Sequence, residues 1–597
     1  MVPAGCCAMH NRVLLASVMI LIPLVVLLLT VILPTTGDGN TTSWGEHGTE
    51  TYVVVPPPQL DMEKFDRIKD RILERGISHA ASLELSYTAQ HRALTWLVRD
   101  DARNLDVPRP TMMTDDGGRM SGNDLDDESA LFQRYALAVL WYQTTDANIV
   151  RMSTTDNGKI LDPFDVPYNP MDLTDDDVRW RVDEHWMSDR GLCMWHGVTC
   201  HPRRQGMYAH DTHTTTTTNN NNNGTDVTGG RYDDDYYVGA LNLTNNNLYG
   251  ILPREVYTAF ERLVSLDLSR NALVGTIGTE LGRLLDLEDL FLHDNNFSGD
   301  IPNDIGKLAN LYNFYINDNK FRGNIPWEMG GLTNLRGASM FNNTLRGAIP
   351  ETLGNLKNLI ALYLDENELS GQIPTSLGQM TSMIDLRLRV NKFTGTIPSE
   401  LGNLVQLETL YLDTNPNIGG TIPPELSKLA KLDELHLYQL DLTGTLPSEF
   451  GLMNGLVYLY LDNNELTGSI PDEWGQMRDL EELFLTGNNL GGRLPITMRG
   501  MTSLRTLRVA GNELTGPIPS DMGRMMKLEY VYLEENDFTG RVPSQLGQLT
   551  KLKLMHLHDN KLTGMSAAVC ELKEDFALRD LTADCEDMDC TCCACIP

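Results

Sequence analysis

The stretch LEDLFLHDNNFSGDIPNDIGKLAN, from Leu287 to Asn310, is one unit of a repeat that fills over half of the chain. From Val238 onward the pattern returns every 24 residues, occasionally every 25. A period of this length predicts a solenoid whose units stack on one another. The residues that mark the turn of each unit, with one leucine among the asparagines, are Asn246, Asn271, Asn295, Asn319, Asn343, Asn367, Asn391, Asn415, Leu440, Asn464, Asn488, Asn512, Asn536 and Asn560.

Each unit contains an LxL core, the marker asparagine and a GxIP element. The LxL core predicts a short strand whose leucines face inward while the intervening residues face outward. A buried asparagine amide after the strand can bond the backbone of neighbouring coils, whereas Leu440 cannot, so that coil must satisfy its turn in another way. Proline follows the marker by seven or eight residues, as at Pro302, Pro374 and Pro471, and predicts a strand edge or an extended segment.

The unit LxxLxLxxNxLxGxIPxxLGxLxxL resembles the plant-type leucine-rich repeat of receptor-like kinases, receptor-like proteins and polygalacturonase inhibitors. Over residues 238–564 this resemblance implies an α/β-type repeat solenoid, a right-handed array of about 14 units with a concave parallel sheet. The motif CMWHGVTC, Cys193 to Cys200, resembles the N-terminal cap of the same family. That likeness implies that these two cysteines pair and that Trp195 packs on the first coil. The layout as a whole resembles the membrane-anchored repeat proteins of diatoms.

An uncharged run of residues at 13–33, VLLASVMILIPLVVLLLTVIL, is long enough to cross a bilayer core of roughly 30 Å as a helix. We interpret it as an uncleaved anchor because no small-residue cleavage site follows it. Arg12 precedes the run and no Lys or Arg follows until Lys64, which predicts a short cytoplasmic N-terminus and an extracellular or luminal C-terminus, in the plasma membrane. Five glycosylation sequons agree with this orientation, at Asn40, Asn223, Asn242, Asn296 and Asn342.

Between the anchor and the repeats, hydrophobic periodicity predicts a small helical region. Asp61 to Gly76 places Phe65, Ile68, Ile72 and Leu73 on one helix face, and further helices are predicted at Thr88–Val98 and Glu128–Thr144. The predicted layout is a cytoplasmic tail at 1–12, the anchor at 13–33, a linker at 34–60, a helical spacer with the cysteine-containing cap at 61–200, a low-complexity insertion at 201–237, the array at 238–564 and a cysteine-rich cap at 565–597.

The segment after the last repeat carries six cysteines: Cys570, Cys585, Cys590, Cys592, Cys593 and Cys595. The end of a solenoid exposes its last hydrophobic coil and needs a cap, and disulfides would stabilise one in a short segment with little core. A metal cluster is the alternative, but the spacing Cx4CxCCxC lacks the paired CxxC of zinc sites. We therefore predict disulfides of undetermined connectivity, no metal and no cofactor.

Outward-facing residues four positions before each marker form a column that is rich in aromatic side chains. An exposed aromatic row suits ligand binding, whereas cross-strand packing of the same rings is the alternative interpretation. Two positions further along, Asp365, Asp413, Asp462 and Glu534, with Glu366 and Glu535 beside them, suit a cationic or calcium-bridged ligand; a solvated acidic face is the simpler interpretation. The predicted ligand-binding residues are Phe291, Tyr315, Tyr363, Arg387, Tyr411, His436, Tyr460, Phe484, Arg508 and Tyr532.

The formal net charge of -33 argues against a nucleic-acid partner. The sequence shows no catalytic motif and none of the phosphate-binding or catalytic loops of a kinase, so we expect a binding protein and not an enzyme. The favoured hypothesis is a receptor-like protein or co-receptor that binds an extracellular protein, peptide or glycan and pairs with a membrane co-receptor. The alternatives are a structural or adhesive protein of the cell surface or wall, and an inhibitor of wall-degrading enzymes.

Overall fold

The computed structural model describes residues 62–78, 80–84, 89–99, 132–133, 135–140, 198–202, 236–584 and 590–596. By its contacts the chain divides into residues 1–58 and 59–597, and all of the described residues belong to the second unit. Within them, no helix is both long and apolar enough to span a membrane. Several predicted features lie outside the described residues: the anchor at 13–33, Asn40, Asn223, Cys193, Trp195 and Cys585.

The repeats fold as a parallel-sheet solenoid, because each LxL core forms a three-residue strand that pairs with the same strand of the next coil. Within the described ranges this long sheet has 17 strands, of which β1 (Val198–Pro202) pairs antiparallel with β2 (Tyr236–Asn242). The other strands are β2 Tyr236–Asn242, β4 Ser265–Asp267, β6 Asp289–Phe291, β8 Asn313–Tyr315, β10 Gly337–Ser339, β12 Ala361–Tyr363, β14 Asp385–Arg387, β16 Thr409–Tyr411, β18 Glu434–His436, β20 Tyr458–Tyr460, β22 Glu482–Phe484, β24 Thr506–Arg508, β26 Tyr530–Tyr532, β28 Leu554–His556, β30 Asp580–Asp584 and β31 Ala594–Ile596.

A second parallel sheet of 14 strands follows the marker asparagines in the same region of the chain. Its glycines supply backbone that other residues adopt poorly: Gly299 has φ +82°, and a Cβ there would lie 2.5 Å from Thr276 Cγ2. The strands are β3 Tyr249–Ile251, β5 Ala272–Gly275, β7 Asn296–Asp300, β9 Lys320–Gly323, β11 Thr344–Gly347, β13 Glu368–Gln372, β15 Lys392–Thr396, β17 Asn417–Gly420, β19 Asp441–Thr445, β21 Glu465–Gly468, β23 Asn489–Gly492, β25 Glu513–Gly516, β27 Asp537–Arg541 and β29 Lys561–Gly564.

Within the described residues, the third side of twelve coils is a short 3₁₀ helix, which begins after the proline of the GxIP element in eleven of them and after Gly278 in the other. Pro302, Pro374 and Pro471 have extended backbone, with φ near -65° and ψ from 134° to 140°, as the sequence predicted. The 3₁₀ helices are Thr279–Arg283, Asn303–Lys307, Trp327–Gly331, Glu351–Asn355, Thr375–Gln379, Ser399–Asn403, Pro424–Lys428, Ser448–Leu452, Asp472–Gln476, Ile496–Gly500, Ser520–Arg524 and Ser544–Gln548.

The marker asparagines form the predicted ladder. Asn415 is fully buried, and its Nδ2 donates to the carbonyl oxygens of Leu388 and Leu412 at 3.1 and 2.8 Å. Its Oδ1 accepts the backbone N–H of Phe393 in the preceding coil at 3.1 Å. One amide therefore satisfies backbone groups of two coils that would otherwise be orphaned in the interior.

The coil before Leu440 satisfies its turn locally, which explains the missing asparagine. In the other coils, the corresponding strand residue donates its backbone N–H to the marker asparagine of the next coil. Leu442 N–H, for example, donates to Asn464 Oδ1 at 3.2 Å. The extra residue after Asn415 lets Ile418 N donate instead to the carbonyl oxygen of Asn415, at 3.0 Å. Leu440 is then free to pack as a core residue with 7% of its surface exposed.

The predicted helical region is present as α1 (Met62–Glu74), α2 (Ala80–Glu84) and α3 (Ala89–Arg99), with further helical residues at 132–133 and 135–140. Phe65, Ile68 and Ile72 of α1 are buried, as their spacing predicted, and Leu73 is half-buried. The apolar face of α1 thus belongs to the core.

The helical region packs on the first repeat through a buried polar cluster. Glu255 opens α4 (Glu255–Ala259) and is 1% exposed, and it accepts a hydrogen bond from Ser78. Ser78 also bonds the Tyr135 hydroxyl at 2.9 Å, and Arg254 donates to the Gly76 carbonyl at 3.2 Å. Burial raises the pKa of Glu255, and the hydrogen bonds from Ser78 and Gln90 offset part of that effect. The first coil is therefore covered on its N-terminal side.

The C-terminal end of the array is closed by α5 (Ala567–Asp575) and by β30 and β31, which extend the long sheet past Gly564. Disulfides join Cys570 to Cys592 and Cys590 to Cys593, and Cys595 is also disulfide-bonded. The sulfurs of Cys570, Cys590 and Cys592 lie within 4.8 Å of one another, close enough for a metal cluster. Because zinc binds thiolates, these cysteines are unsuited to a metal while they are paired.

Candidate functional site

The predicted column becomes one continuous row because the repeat strands pair without a register shift. Tyr363 is paired with Arg387, Arg387 with Tyr411, and Tyr411 with His436. The leucines beside them in the same strands are at most 1% exposed, whereas the row residues are half-buried. The row therefore lies on the outer face of the long sheet, as the sequence predicted.

Nine consecutive coils contribute side chains that contact one another, and we call this set the aromatic row. Tyr411 stacks on His436 with ring centres 4.0 Å apart, and Tyr460 lies 4.5 Å from both His436 and Phe484. Two guanidinium groups continue the stack between rings. The aromatic row comprises Tyr363, Arg387, Tyr411, His436, Tyr460, Phe484, Arg508, Tyr532 and His556.

The two arginines of the aromatic row occupy equivalent places between aromatic rings. Arg508 lies 4.6 Å from the ring centre of Phe484 and 4.5 Å from that of Tyr532. Arg387 lies 4.9 and 5.1 Å from its two tyrosine neighbours and also makes a two-pronged ion pair with Asp385, at 2.8 and 2.9 Å. Cation–π contacts of this kind keep the stack continuous across coils that have no aromatic residue at the row position.

Two predicted binding residues are separated from the rest. Phe291 and Tyr315 contact each other at 5.2 Å, but Ser339 occupies the row position in the next coil. Ser339 is 4% exposed and donates to Asn317 Oδ1 at 2.9 Å. The structure therefore brings together eight of the ten predicted residues, and this pair forms a second, shorter surface.

Three of the four tyrosine hydroxyls of the aromatic row are held by carboxylates of the next strand. Tyr460 donates to Glu482 Oε2 at 2.6 Å, Tyr363 donates to Asp385 at 3.0 Å, and Tyr411 donates to Glu434. Burial and the neighbouring carboxylates raise the pKa of all three phenols, that of Tyr363 to about 12. The phenols therefore stay protonated, and each ring has a fixed position.

Because neighbouring rings cover one another's faces, the central part of the row presents ring edges to solvent. The interplanar angle is 11° between Tyr411 and His436 and 28° between Tyr460 and Phe484. Ring edges carry the positive side of the aromatic quadrupole and face acceptors well. The predicted alternative of cross-strand packing is thus observed, and it leaves an edge-on surface for a ligand.

The carboxylates two positions after the row are less solvated than the simpler interpretation predicted. Asp365 and Asp413 are 7% and 0% exposed, so the prediction of a solvated acidic face is wrong for them. Burial raises the pKa of Asp365 to about 7 and that of Asp462 to about 6, and it also raises the pKa of Asp413 and Glu534. Glu366 and Glu535 are exposed as predicted.

The fully buried Asp413 lies beside His436, a residue in the central part of the aromatic row. Asp413 Oδ1 and His436 Nδ1 lie 4.0 Å apart, and neither atom has a hydrogen-bond partner among the described residues. Burial, with the charges of Arg389 and Arg387, lowers the pKa of His436 to about 4. The imidazole is therefore neutral at physiological pH and packs as an aromatic ring.

The buried carboxyls predict that the array loses stability as the pH rises. Their pKa values in the folded chain lie above the value of about 3.9 for free aspartate, so the stability they contribute is present below pH 4 and is lost as the pH rises towards 7. We expect the urea midpoint of the native chain to fall between pH 5 and pH 8. The double variant Asp365→Asn with Asp462→Asn keeps both acceptor oxygens. Its urea midpoint should fall less over this pH range, and it should be the more stable chain at pH 8. Parallel pH profiles for the two chains would contradict the assignment.

Three of the predicted glycosylation sites lie within the described residues. Asn242 and Asn342 are exposed, and Asn342 donates to Asp318 at 2.6 Å. Asn296 lies in β7 and is half-buried. Asn242 occupies the row position of the first repeat, so a glycan there would stand nine coils from Tyr460, the middle residue of the aromatic row.

Sequence reasoning missed the carboxylates that hold the row. Glu434 and Glu482 open the strands that follow Tyr411 and Tyr460 in the sheet. An alignment of the LxL cores could have identified these glutamates, because each lies two positions before the row residue of the next unit. His556 was part of the column and extends the stack beyond the predicted set, at 5.3 Å from Tyr532.

Comparison with known proteins identifies the repeats. Residues 454–514 match a family model described as leucine rich repeat, and residues 286–308 and 358–380 match a second model of the same description. No curated protein sequence matches the chain. The matched segments all lie in the array that carries the aromatic row.

Several solved structures are similar to this chain. The structure of a TDR receptor aligns with 58% of this chain, and this chain covers 63% of the receptor chain. The two are 29% identical, with a TM-score of 0.53. The PEPR1–AtPEP1 structure aligns with 75% of this chain, and this chain covers 64% of the aligned chain in that structure. The two are 25% identical, with a TM-score of 0.51. The ectodomain of the receptor kinase GASSHO1/SCHENGEN3 from Arabidopsis thaliana, in complex with CASPARIAN STRIP INTEGRITY FACTOR 2, matches 56% of this chain at 35% identity and a TM-score of 0.49. This chain covers only 43% of that protein and less than two thirds of the other two.

Proposed function

We propose that this leucine-rich-repeat protein binds an extended basic peptide or protein segment along its aromatic row, as a receptor-like protein or co-receptor. The observation that carries the proposal is the unbroken contact of nine side chains in one register across nine coils. A surface this long and narrow suits a ligand that lies along the solenoid axis. Rigid aromatic residues lose little side-chain entropy when they bind.

The ring orientation favours a peptide over a glycan on this surface. A sugar ring stacks its apolar face on an aromatic face, but the faces of Tyr411, His436, Tyr460 and Phe484 are occupied by their neighbours. A peptide backbone instead offers carbonyl oxygens, which ring edges and guanidinium N–H groups attract. Aliphatic side chains of the same segment can pack between the exposed edges.

The charge around the row favours a basic ligand. Glu434 and Glu482 line one side of the aromatic row, and Asp462 and Glu534 stand on the other. Arg387 is paired with Asp385, and Arg508 is the other arginine of the row, so these four carboxylates outnumber the cations of the row. Lysine or arginine side chains that project sideways from an extended segment would meet these acids.

The comparisons and the sequence support the receptor-like part of the proposal. One similar structure is named a receptor, and the fold likeness to it exceeds a TM-score of 0.5. The anchor at 13–33 and the sequons support a membrane-bound protein with the array on the extracellular or luminal side. Curvature and handedness of the array, the unit count and the likeness to diatom proteins stay predictions.

The test is selection of ligands from a display library of unstructured peptides by the immobilised full-length chain. We expect the selected peptides to be rich in lysine and arginine and to bind saturably. Joint replacement of Tyr460 and Phe484 by Ala should weaken their binding by about 10- to 100-fold, because each removes a central contact. Tyr312→Ala is the matched control: Tyr312 is also stacked under an arginine, Arg336 at 4.7 Å, but lies outside the row.

A second variant separates binding from stability. Glu434→Gln with Glu482→Gln keeps acceptors for the tyrosine hydroxyls and removes two charges. We expect it to retain the native urea midpoint and to bind basic peptides several-fold more weakly. Equal binding by the native chain and both row variants would overturn the proposal. The adhesive-scaffold alternative would then be favoured, with the aromatic row serving only to pack the sheet.

A further inference from the structure

The structure points to a second binding site, for a neutral glycan, in a groove on the 3₁₀-helical side of the array around Trp327. We propose that the indole of Trp327 stacks on the apolar face of a sugar ring while groove side chains bond its hydroxyls. This site is separate from the aromatic row. It lies on the first residue of the 3₁₀ helix Trp327–Gly331, whereas the row lies on the long sheet.

Trp327 is an aromatic residue that the fold does not use. Its side chain is 65% exposed, although tryptophan is usually well buried. The other tryptophan of the 3₁₀ side, Trp474, is fully buried and donates to the Pro447 carbonyl at 2.8 Å. Thr352 Oγ1 donates to the Trp327 carbonyl at 2.6 Å, which fixes the backbone from which the indole projects. A fixed and exposed indole face is a preformed contact surface.

Beside the indole lies an open groove of about 550 Å³, within the range of roughly 300–1,000 Å³ for small-ligand sites. Its floor is glycine, at Gly306 and Gly330, where neighbouring backbone leaves no room for a Cβ. Gly331 opens one wall: a Cβ there would meet only the Gly306 carbonyl oxygen, at 3.6 Å. The equivalent residue in the coils on either side is Lys307 or Asn355, so both neighbouring coils carry a side chain at this position. Gly500 takes the same position in a later coil, but the first residue of that 3₁₀ helix is Ile496, so Trp327 and the opening occur together in this coil.

The polar lining fits a neutral ligand with many hydroxyls. Asn303 and Asn355 offer amides, Glu328 offers a carboxylate, and Asp304 is paired with Lys307. One oxygen of Glu328 has no hydrogen-bond partner among the described residues, so a rotation of this carboxylate would present an acceptor to a hydroxyl. In the groove, Lys307 opposes a cationic ligand, and Asp304 and Glu328 oppose an anionic one.

The probes are the neutral oligosaccharides cellopentaose, laminaripentaose and mannopentaose, titrated into the full-length chain with tryptophan fluorescence and calorimetry as readouts. We expect at least one to bind saturably, with a signal unchanged by moderate salt because no charge pair is formed. Trp327→Ala should weaken that binding at least about tenfold, since it removes the stacking surface. Gly331→Gln, which restores a side chain that the coil at Thr375–Gln379 carries, should also weaken it by narrowing the groove.

Two further measurements make the outcome decisive. The row variant Tyr460→Ala with Phe484→Ala should bind the sugar as the native chain does, which separates this site from the aromatic row. Spermidine and tetramethylammonium serve as cation probes. Salt-sensitive binding of these cations that is lost in Glu328→Gln, with no sugar bound, would overturn the glycan assignment in favour of a cation site. Absence of binding by all three sugars at millimolar concentration, or equal binding by Trp327→Ala, would overturn it as well.

Discussion

Replacement of Asn415 by alanine is expected to lower the free energy of unfolding by about 3–5 kcal/mol, because it orphans two buried backbone groups. Phe393 N–H loses the Oδ1 acceptor, and the Leu412 carbonyl loses its Nδ2 donor. Where another marker asparagine follows, such a carbonyl has a second donor, as Leu388 O has from Asn415. Leu440 cannot supply one here, so Asn415 should be more costly to remove than the ladder positions that an asparagine follows. The measurement is urea unfolding of the full-length chain, followed by circular dichroism.

Two control variants test that reasoning. Asn391→Ala orphans Leu369 N–H, but Leu388 O keeps its bond from Asn415, so we expect a smaller loss of about 1–3 kcal/mol. Asn403→Ala removes an exposed asparagine at the end of a 3₁₀ helix and should change stability by less than about 0.5 kcal/mol. Equal losses for Asn415→Ala and Asn391→Ala would contradict the account of the Leu440 coil.

Replacement of Trp474 by alanine is expected to cost about 3–5 kcal/mol, since it empties a large volume in a closely packed coil. Trp474 is 0% exposed, lies over Phe450 with ring centres 6.2 Å apart, and bonds the Pro447 carbonyl. The loss includes that buried hydrogen bond as well as the cavity. The measurement is the urea midpoint, with Trp474→Phe as the variant that refills part of the space and should recover part of the loss.

Trp327→Ala is the matched control for this second prediction. Both tryptophans lie in the 3₁₀ helix of their coil, but Trp327 is the first residue of that helix and Trp474 is the third. We expect Trp327→Ala to leave the urea midpoint within about 0.5 kcal/mol of the native value. A large loss there would mean that Trp327 supports the fold, and the sugar titrations with this variant would then lose their meaning as a test of binding.

The asparagine ladder also matters for the binding surface. The strands that carry the aromatic row are three residues long, such as β16 and β18, and each is positioned by hydrogen bonds to both neighbours. Ring contacts at 4.0 and 4.5 Å depend on that strand spacing. A coil that loses its asparagine would therefore be expected to loosen the row locally, and a ligand that spans several coils would bind less tightly.

Much of the architecture could be predicted from the sequence because the same residue pattern recurs in every repeat unit. The 24-residue period, the LxL spacing and the marker asparagines specify which residues face inward, and an identical register then aligns Tyr411, His436 and Tyr460 without further information. The proline positions indicated extended backbone, and the spacing of Phe65, Ile68 and Ile72 indicated a buried helix face. These are local rules, and each can be checked along the chain.

Tertiary structure alone decided how the side chains of different coils meet. The depth of Asp413, the pairing of tyrosine hydroxyls with Glu434 and Glu482, and the edge-on orientation of the rings depend on atoms from neighbouring coils. The open groove at Trp327 likewise depends on a glycine, Gly331, whose neighbours in space belong to other units. A sequence pattern specifies direction and register, whereas burial and electrostatics depend on the distances between chain segments that only packing sets.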